Sequence, residues 1–249
     1  MNRDDLSVVV LYCSQERDLI ERAVKPLVQV SSDVVVVSLS HFFTGAEDTL
    51  VQDKLKELQT LYGIKPVVLQ WKHIPGAPQN FWPKELRLYG FGATRVSSKY
   101  VMFVDADEIL RSPSAFSAWF ATLNSTSPQS YKLSNYWYFM SERRRSKVLE
   151  DSIIIVPRHT LRFEQFRAHG VQEREALVAN PLREVKDLDG NVFFDHLSWV
   201  RDKDILLQKV STWGHRNDKD WLPLVQKAIS EDPLTTADFV HGYEYDILE

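Results

Sequence analysis

An α/β fold with a central, mostly parallel sheet flanked by helices is predicted by three features of this chain. Short apolar runs rich in Val alternate with helical patterns over the first hundred residues, and those runs show no polar alternation. Hydrophobic residues also make up 44% of 249 positions, enough for a sizeable core. Strands that are apolar at every position are buried on both faces, which in a sheet of this kind requires helices on both sides.

Leu6 to Cys13 reads as the first such strand, followed by a helix from Gln15 to Leu27 that Pro26 helps to end. Asp33 to Leu39 is the second strand. Thr44-Gly-Ala-Glu47 has the form of a capping box, Val51, Leu55, Leu58 and Tyr62 fall on one face of the helix behind it, and Gly63 stops it. Pro66 to Trp71 is a third strand, Pro83 to Val96 a helix with proline in its first turn, and Tyr100 to Val104 a fourth strand. Ligands of such sheets bind beyond the carboxyl ends of the strands, where Ser14, Glu16, Arg17, Ser40, His41 and the cluster from Asp105 to Glu108 gather.

Beyond Ile109 the character changes. A helix over Ser114 to Leu123 and a polar loop from Asn124 to Ser130 precede the aromatic strand Tyr131 to Phe139. The basic turn Glu142-Arg-Arg-Arg-Ser-Lys147 then leads to the strand Ser152 to Val156, as in a hairpin. A short strand, Asn191 to Asp195, and an amphipathic helix carrying Leu206, Val210 and Trp213 follow. The reading is one domain over 1–249, with a nucleotide-binding half (1–110) and an acceptor-binding half with C-terminal helices (111–249).

Composition bounds the setting. Thirty basic against 34 acidic side chains give a formal charge of −4, which supplies no footprint for general nucleic-acid binding. A single cysteine, Cys13, excludes an internal disulfide framework. No apolar stretch has membrane-spanning length, and Met1-Asn-Arg-Asp-Asp lacks an apolar signal segment, so a cytoplasmic protein without a transmembrane segment is expected.

The chemistry is concentrated in Val101-Met-Phe-Val-Asp-Ala-Asp-Glu-Ile-Leu110, an apolar strand that ends in three carboxylates. Negative charge at the tip of a buried strand suits a divalent cation, Mg²⁺ or Mn²⁺, which brings a phosphorylated ligand with it. An Asp-x-Asp pair on a surface is otherwise merely solvated.

From Trp82 to Glu108 the chain resembles the core of GT-A fold glycosyltransferases, particularly the family 2 type: a helix carrying Arg and Gly, a strand, then Asp-x-Asp. Val8-Val-Val-Leu-Tyr-Cys-Ser-Gln-Glu-Arg17 is similar to their first strand and nucleotide-contacting loop. Phe194-Asp-His-Leu-Ser-Trp-Val-Arg201 resembles a late His-x-Ser-Trp segment of several such enzymes. The resemblance implies a nucleoside-diphosphate sugar donor, a carbohydrate acceptor and inversion. It implies that Asp105 lies near the donor ribose and metal, that Asp107 is the firmest metal ligand, and that His196 is a third ligand or a diphosphate contact. It makes Arg17, Arg87 and Arg201 candidates for phosphate. Tyr89 departs from the pattern, standing where an Arg is common. The alternative reading of His196 is a core histidine capping the strand beside Trp199.

Transfer to a hydroxyl needs a base. Glu150-Asp151 resembles the acidic pair of family 2, which makes Asp151 the first candidate; Glu173, in Ala168-His-Gly-Val-Gln-Glu173, is the second, with Glu108 and Asp195 behind. Tyr136, Trp137, Tyr138, Trp199, Trp213 and Trp221 offer stacking faces for sugars or core for the second half. Arg143 to Arg145 form a solvated turn or meet an anionic acceptor. Two other readings fit an apolar strand followed by Asp-x-Asp: a haloacid-dehalogenase-type phosphatase with Asp105 as nucleophile, and an inactive carbohydrate-binding or scaffold protein. The first is disfavoured because three strand-helix units precede the motif.

Overall fold

The computed structural model describes residues 2–75, 81–123, 129–161, 174–178 and 180–249. Strands β1 (Leu6–Tyr12), β2 (Asp33–Leu39), β3 (Lys65–Leu69) and β4 (Tyr100–Asp105) form a parallel half-sheet in the order β3-β2-β1-β4. Val8, Val10, Val34, Val36, Met102 and Val104 point to one face, covered by α1 (Ile20–Val30), α2 (Val51–Tyr62) and α4 (Pro113–Ala121). Val9, Val37, Val101 and Phe103 point to the other, covered by α3 (Phe81–Ala93). Covering both faces explains why the strands carry no polar alternation. Gly90 lets α3 approach, since a Cβ there would stand 2.5 Å from a methyl of Val9.

Helix starts differ from the expected ones. Ser14–Glu16 is a single 3₁₀ turn, closed by the Glu16 carboxylate accepting from the Cys13 N–H at 2.9 Å, and α1 begins only at Ile20. Pro26 does not end α1; burial of Leu27 and Val30 in the next turn offsets the lost hydrogen bond, a cost of about 3 kcal/mol. Thr44-Gly-Ala-Glu47 is not a helix cap. Gly45 takes φ +89°, its N–H bonds the Phe42 carbonyl, and the segment turns back so that Glu47 bridges His41. The α2 helix ends as expected, at Gly63 with φ +67°.

The sheet continues past β4 into antiparallel β7 (Arg144–Pro157), then β6 (Tyr131–Tyr138), β9 (Phe194–His196) and β5 (Glu108–Leu110); β8 (Leu182–Val185) pairs with β6 and β10 (Tyr245–Ile247) with β7. The sheet is therefore parallel in its first half and mixed in its second. The expected basic turn is shorter than Glu142 to Lys147, because Arg144 already belongs to β7 and lays its buried guanidinium over the Tyr245 ring at 4.2 Å. Helices α5 (Lys203–Thr212) and α6 (Trp221–Ser230) pack around Trp199, which is 1% exposed. Among the described residues no helix is long and apolar enough to cross a membrane.

Opposite the carboxyl ends of the strands, buried Asp33 ties the layers together. Its carboxylate accepts from the Ser7 hydroxyl and the Arg95 N–H, both at 2.5 Å, and pairs with Lys65. Burial pushes its pKa up, but the Arg95 N–H, Lys65 and Ser7 outweigh it and hold it below the usual aspartate value. Asp33→Ala should cost about 3 kcal/mol in urea unfolding at pH 7. A depressed folded pKa means that the contribution is complete above the unfolded value of about 3.9 and lost as pH falls through the folded one. The gap between parent and variant should therefore close on acidification below about pH 4.

Candidate active site

The strand β4 ends at Asp105 because its N–H turns in to the Glu108 carboxylate at 2.7 Å, while the Ala106 N–H still bonds the Leu11 carbonyl. The chain then reverses into β5, whose Glu108 stands opposite His196 of β9, and the Leu197 N–H bonds the Asp107 carbonyl at 2.9 Å. That register carries the late His-x-Ser-Trp segment to the Asp-x-Asp pair. Both border a cleft of about 1030 Å³ over the carboxyl ends of β1, β2 and β4.

The three carboxylates are compensated differently. Glu108, fully buried, is gripped by both Arg174 nitrogens at 2.6 and 2.7 Å and by the Ser152 hydroxyl at 2.7 Å. Asp105 is about one-third exposed, with Arg87 at 3.3 Å and Arg174 at 3.4 Å. Asp107 is buried; its Oδ2 meets Arg201 at 2.7 Å and Lys209 at 3.9 Å, and its Oδ1 faces His196 Nε2 at 3.7 Å. Burial pushes the Asp107 pKa up, but His196, Arg201, Lys209 and Arg174 more than offset it and hold it well below the carboxylate range. For His196, burial lowers the pKa, whereas the Glu150 hydrogen bond and the charges of Asp107, Glu108 and Glu150 bring it up to about 8. Burial, reinforced by Arg201, takes Lys209 down to about 8.

A β-bulge shapes the facing wall. Leu133 pairs with Ile153 and Asn135 with Glu150, so two steps along β6 meet three along β7. Bulges re-aim side chains. Here Glu150 reaches His196, Asp151 borders the cleft with Lys132 at 3.3 Å and Arg183 at 3.4 Å, and Ser152 reaches Glu108.

Of the residues expected from sequence, Glu16, Arg87, Asp105, Asp107, Asp151 and His196 meet at this cleft. Arg201 lies behind it, joining Asp107 to Glu16, whose pKa is raised by burial. Arg17 is half exposed beside Asp18, Ser14 donates its N–H to Asp48, and the Ser40 hydroxyl bonds His41 and the Trp71 N–H. None of these last three borders the cleft. Glu173 lies outside the described residues. Asp195 accepts from the Tyr138 hydroxyl at 3.0 Å, away from the cleft, and buried Glu108 has no face to offer an acceptor. Among the aromatics, Trp199 interlocks with Trp213 and Trp221 as core, and Tyr136 carries Arg111 and Arg145 on its ring. Half-buried Trp213 is the one of the six that both borders the cleft and keeps appreciable exposure.

Asp107 Oδ1 and His196 Nε2 can both reach one cation, because 3.7 Å is less than twice the usual donor–metal distance of about 2.1 Å. Among the described residues no group of three or more His, Cys, Asp and Glu is placed to hold one metal ion. The donor set thus fits a cation that takes its remaining ligands from substrate oxygens and water. A cation there would compete with the His196 proton.

No protein-family model matches the sequence, and no curated protein does. Among solved structures, the chain is similar to 4-diphosphocytidyl-2C-methyl-D-erythritol synthase, at 10% identity and TM-score 0.51 over 83% of this chain and 99% of that one. It is also similar to S. aureus TarS 1-349 (12%, TM-score 0.43, 84% and 66% covered). A glycosyltransferase involved in the glycosylation of the major capsid of PBCV-1 is a third (7%, TM-score 0.39, 81% and 97%). The first likeness shows the fold. It is a GT-A-like α/β fold.

The Glu108–Arg174 pair is the interaction most exposed to disruption, since removing one partner strands a buried charge. Arg174→Ala should destabilise the chain by about 3–5 kcal/mol, read as a lowered urea midpoint.

Proposed function

We propose that the chain is a metal-dependent glycosyltransferase that moves a sugar from a nucleoside-diphosphate donor to a hydroxyl of a glycan or similar acceptor, with inversion. One observation carries the reading. Asp107 Oδ1 and His196 Nε2 face each other at 3.7 Å in a cleft over the carboxyl ends of three parallel strands, where α/β sheets take their ligands.

Asp107 and His196 would hold the cation, and the imidazole would tilt the choice towards Mn²⁺ over Mg²⁺. When bound, the cation neutralises charge that develops on the leaving diphosphate. Arg201 and Lys209 fix the Asp107 carboxylate from behind, so that Oδ1 stays aimed into the cleft. Asp105, bracketed by Arg87 and Arg174, takes the ribose side of the donor. Arg87 borders the cleft where the phosphates would lie, and its planar fork suits them. On the opposite wall Asp151 accepts the proton of the acceptor hydroxyl; Lys132 and Arg183 hold its carboxylate in place. Glu173 is the second candidate for that role.

Thermal unfolding across nucleoside diphosphates tests the donor assignment. One nucleotide with Mn²⁺ should raise Tm by mass action, about 2.7 kcal/mol of stabilisation at 100 times Kd, and Asp107→Ala should remove the Mn²⁺-dependent part. With the sugar nucleotide so identified, Asp151→Asn should lower kcat about 10²–10⁴-fold while donor affinity is kept. Release of pyrophosphate from a nucleoside triphosphate, without nucleoside diphosphate from any sugar nucleotide, would replace this reading with nucleotidyl transfer. Phosphate trapped on Asp105 would replace it with the phosphatase.

A further inference from the structure

We infer that Glu150 is a positioning residue that presents His196 Nε2 to the cation site beside Asp107; this rests on the metal-dependent reading above. A buried imidazole serves as a ligand only if the correct nitrogen faces the metal, and its other nitrogen decides that. His196 Nδ1 lies 3.2 Å from Glu150 Oε2. A carboxylate only accepts, so Nδ1 carries the proton and Nε2 is left towards Asp107. The β7 bulge sets this up: it brings Glu150 opposite Asn135, and Asn135 pairs with Phe194, two residues before His196.

The carboxylate is itself held. Its second oxygen lies 3.5 Å from the Tyr243 hydroxyl and 3.6 Å from His241 Nε2, both on the segment that leads into β10. Trp137 packs edge-on against both imidazoles, with centroids 4.8 and 4.7 Å away, and blocks rotation of the His196 ring. With both oxygens engaged, Glu150 acts through His196 and not on the acceptor.

The test is Mn²⁺ affinity of the full-length chain, measured without substrate from the electron paramagnetic resonance signal of free Mn²⁺. Glu150→Ala should weaken binding about 10–100-fold, the usual cost of losing a carboxylate behind a histidine ligand. Glu150→Gln should recover most of it, because its amide oxygen still accepts from Nδ1. In a His196→Ala background Glu150→Ala should cost nothing further, which a merely structural role would not produce. Glu150→Leu takes the place of the alanine variant if that one does not fold. Additive losses in the two backgrounds, or unchanged Mn²⁺ affinity in Glu150→Ala, overturn the inference while leaving the metal reading intact. Undiminished Mn²⁺ affinity in Asp107→Ala overturns the metal reading and the inference together.

Discussion

Three carboxylates at the tip of an apolar strand are costly to desolvate, and the rest of the molecule is arranged around supplying their counter-charges. Asp105, Asp107 and Glu108 sit where β4 leaves the half-sheet, yet only Arg87 comes from the first hundred residues. Arg174, His196, Arg201 and Lys209 all come from the second half. The second half must therefore fold back over the strand ends for the first to be stable. An ion pair buried as deeply as Glu108–Arg174 adds little net stability, but breaking it is expensive, so it acts as a register lock between the halves.

The same demand divides labour along one short segment. Glu108 is neutralised completely and serves the fold. Asp105 keeps about a third of its surface exposed and stays available at the cleft. Asp107 is between the two: one oxygen is held by Arg201 and the other is turned to His196. A single residue of displacement would exchange these roles, and the β5–β9 register and the β7 bulge are what prevent it.

The parallel half was legible because its signal is local. A run such as Asp33 to Leu39 shows double-sided burial by lacking polar alternation, and Asp105, Asp107 and His196 stand out by residue type and order. What escaped was set by long-range pairing. Glu150 reads as one half of an acidic pair, and nothing near it in sequence says that a bulge turns it to His196. Arg174 and Tyr243 lie in segments without periodicity, and their roles come from partners 66 and 93 residues away; His241 likewise meets the distant Glu150. Lys132 carries a usable signal: a lysine inside an aromatic strand needs a carboxylate, and Asp151 is it. Thr44 failed the other way, since a helix-start pattern was overruled by the left-handed turn at Gly45.

Charge balance bears on how the proposed site would load. Asp105, Asp107, Glu108, Glu150 and Asp151 face Arg87, Arg174, Arg201, Lys209, Lys132 and a His196 whose pKa is raised to about 8, so the walls are close to neutral as they stand. A divalent cation entering alone would displace the His196 proton and still lie near three fixed cations. A diphosphate entering alone would meet Asp105 and Asp107 with only the arginines and lysine already paired to them to offset the repulsion. Brought in together, each cancels the repulsion met by the other, and the low dielectric of a half-buried cleft magnifies the difference. On the proposed reading, the cation binds by itself but more tightly with nucleotide, and the affinity of either depends on the other by thermodynamic linkage.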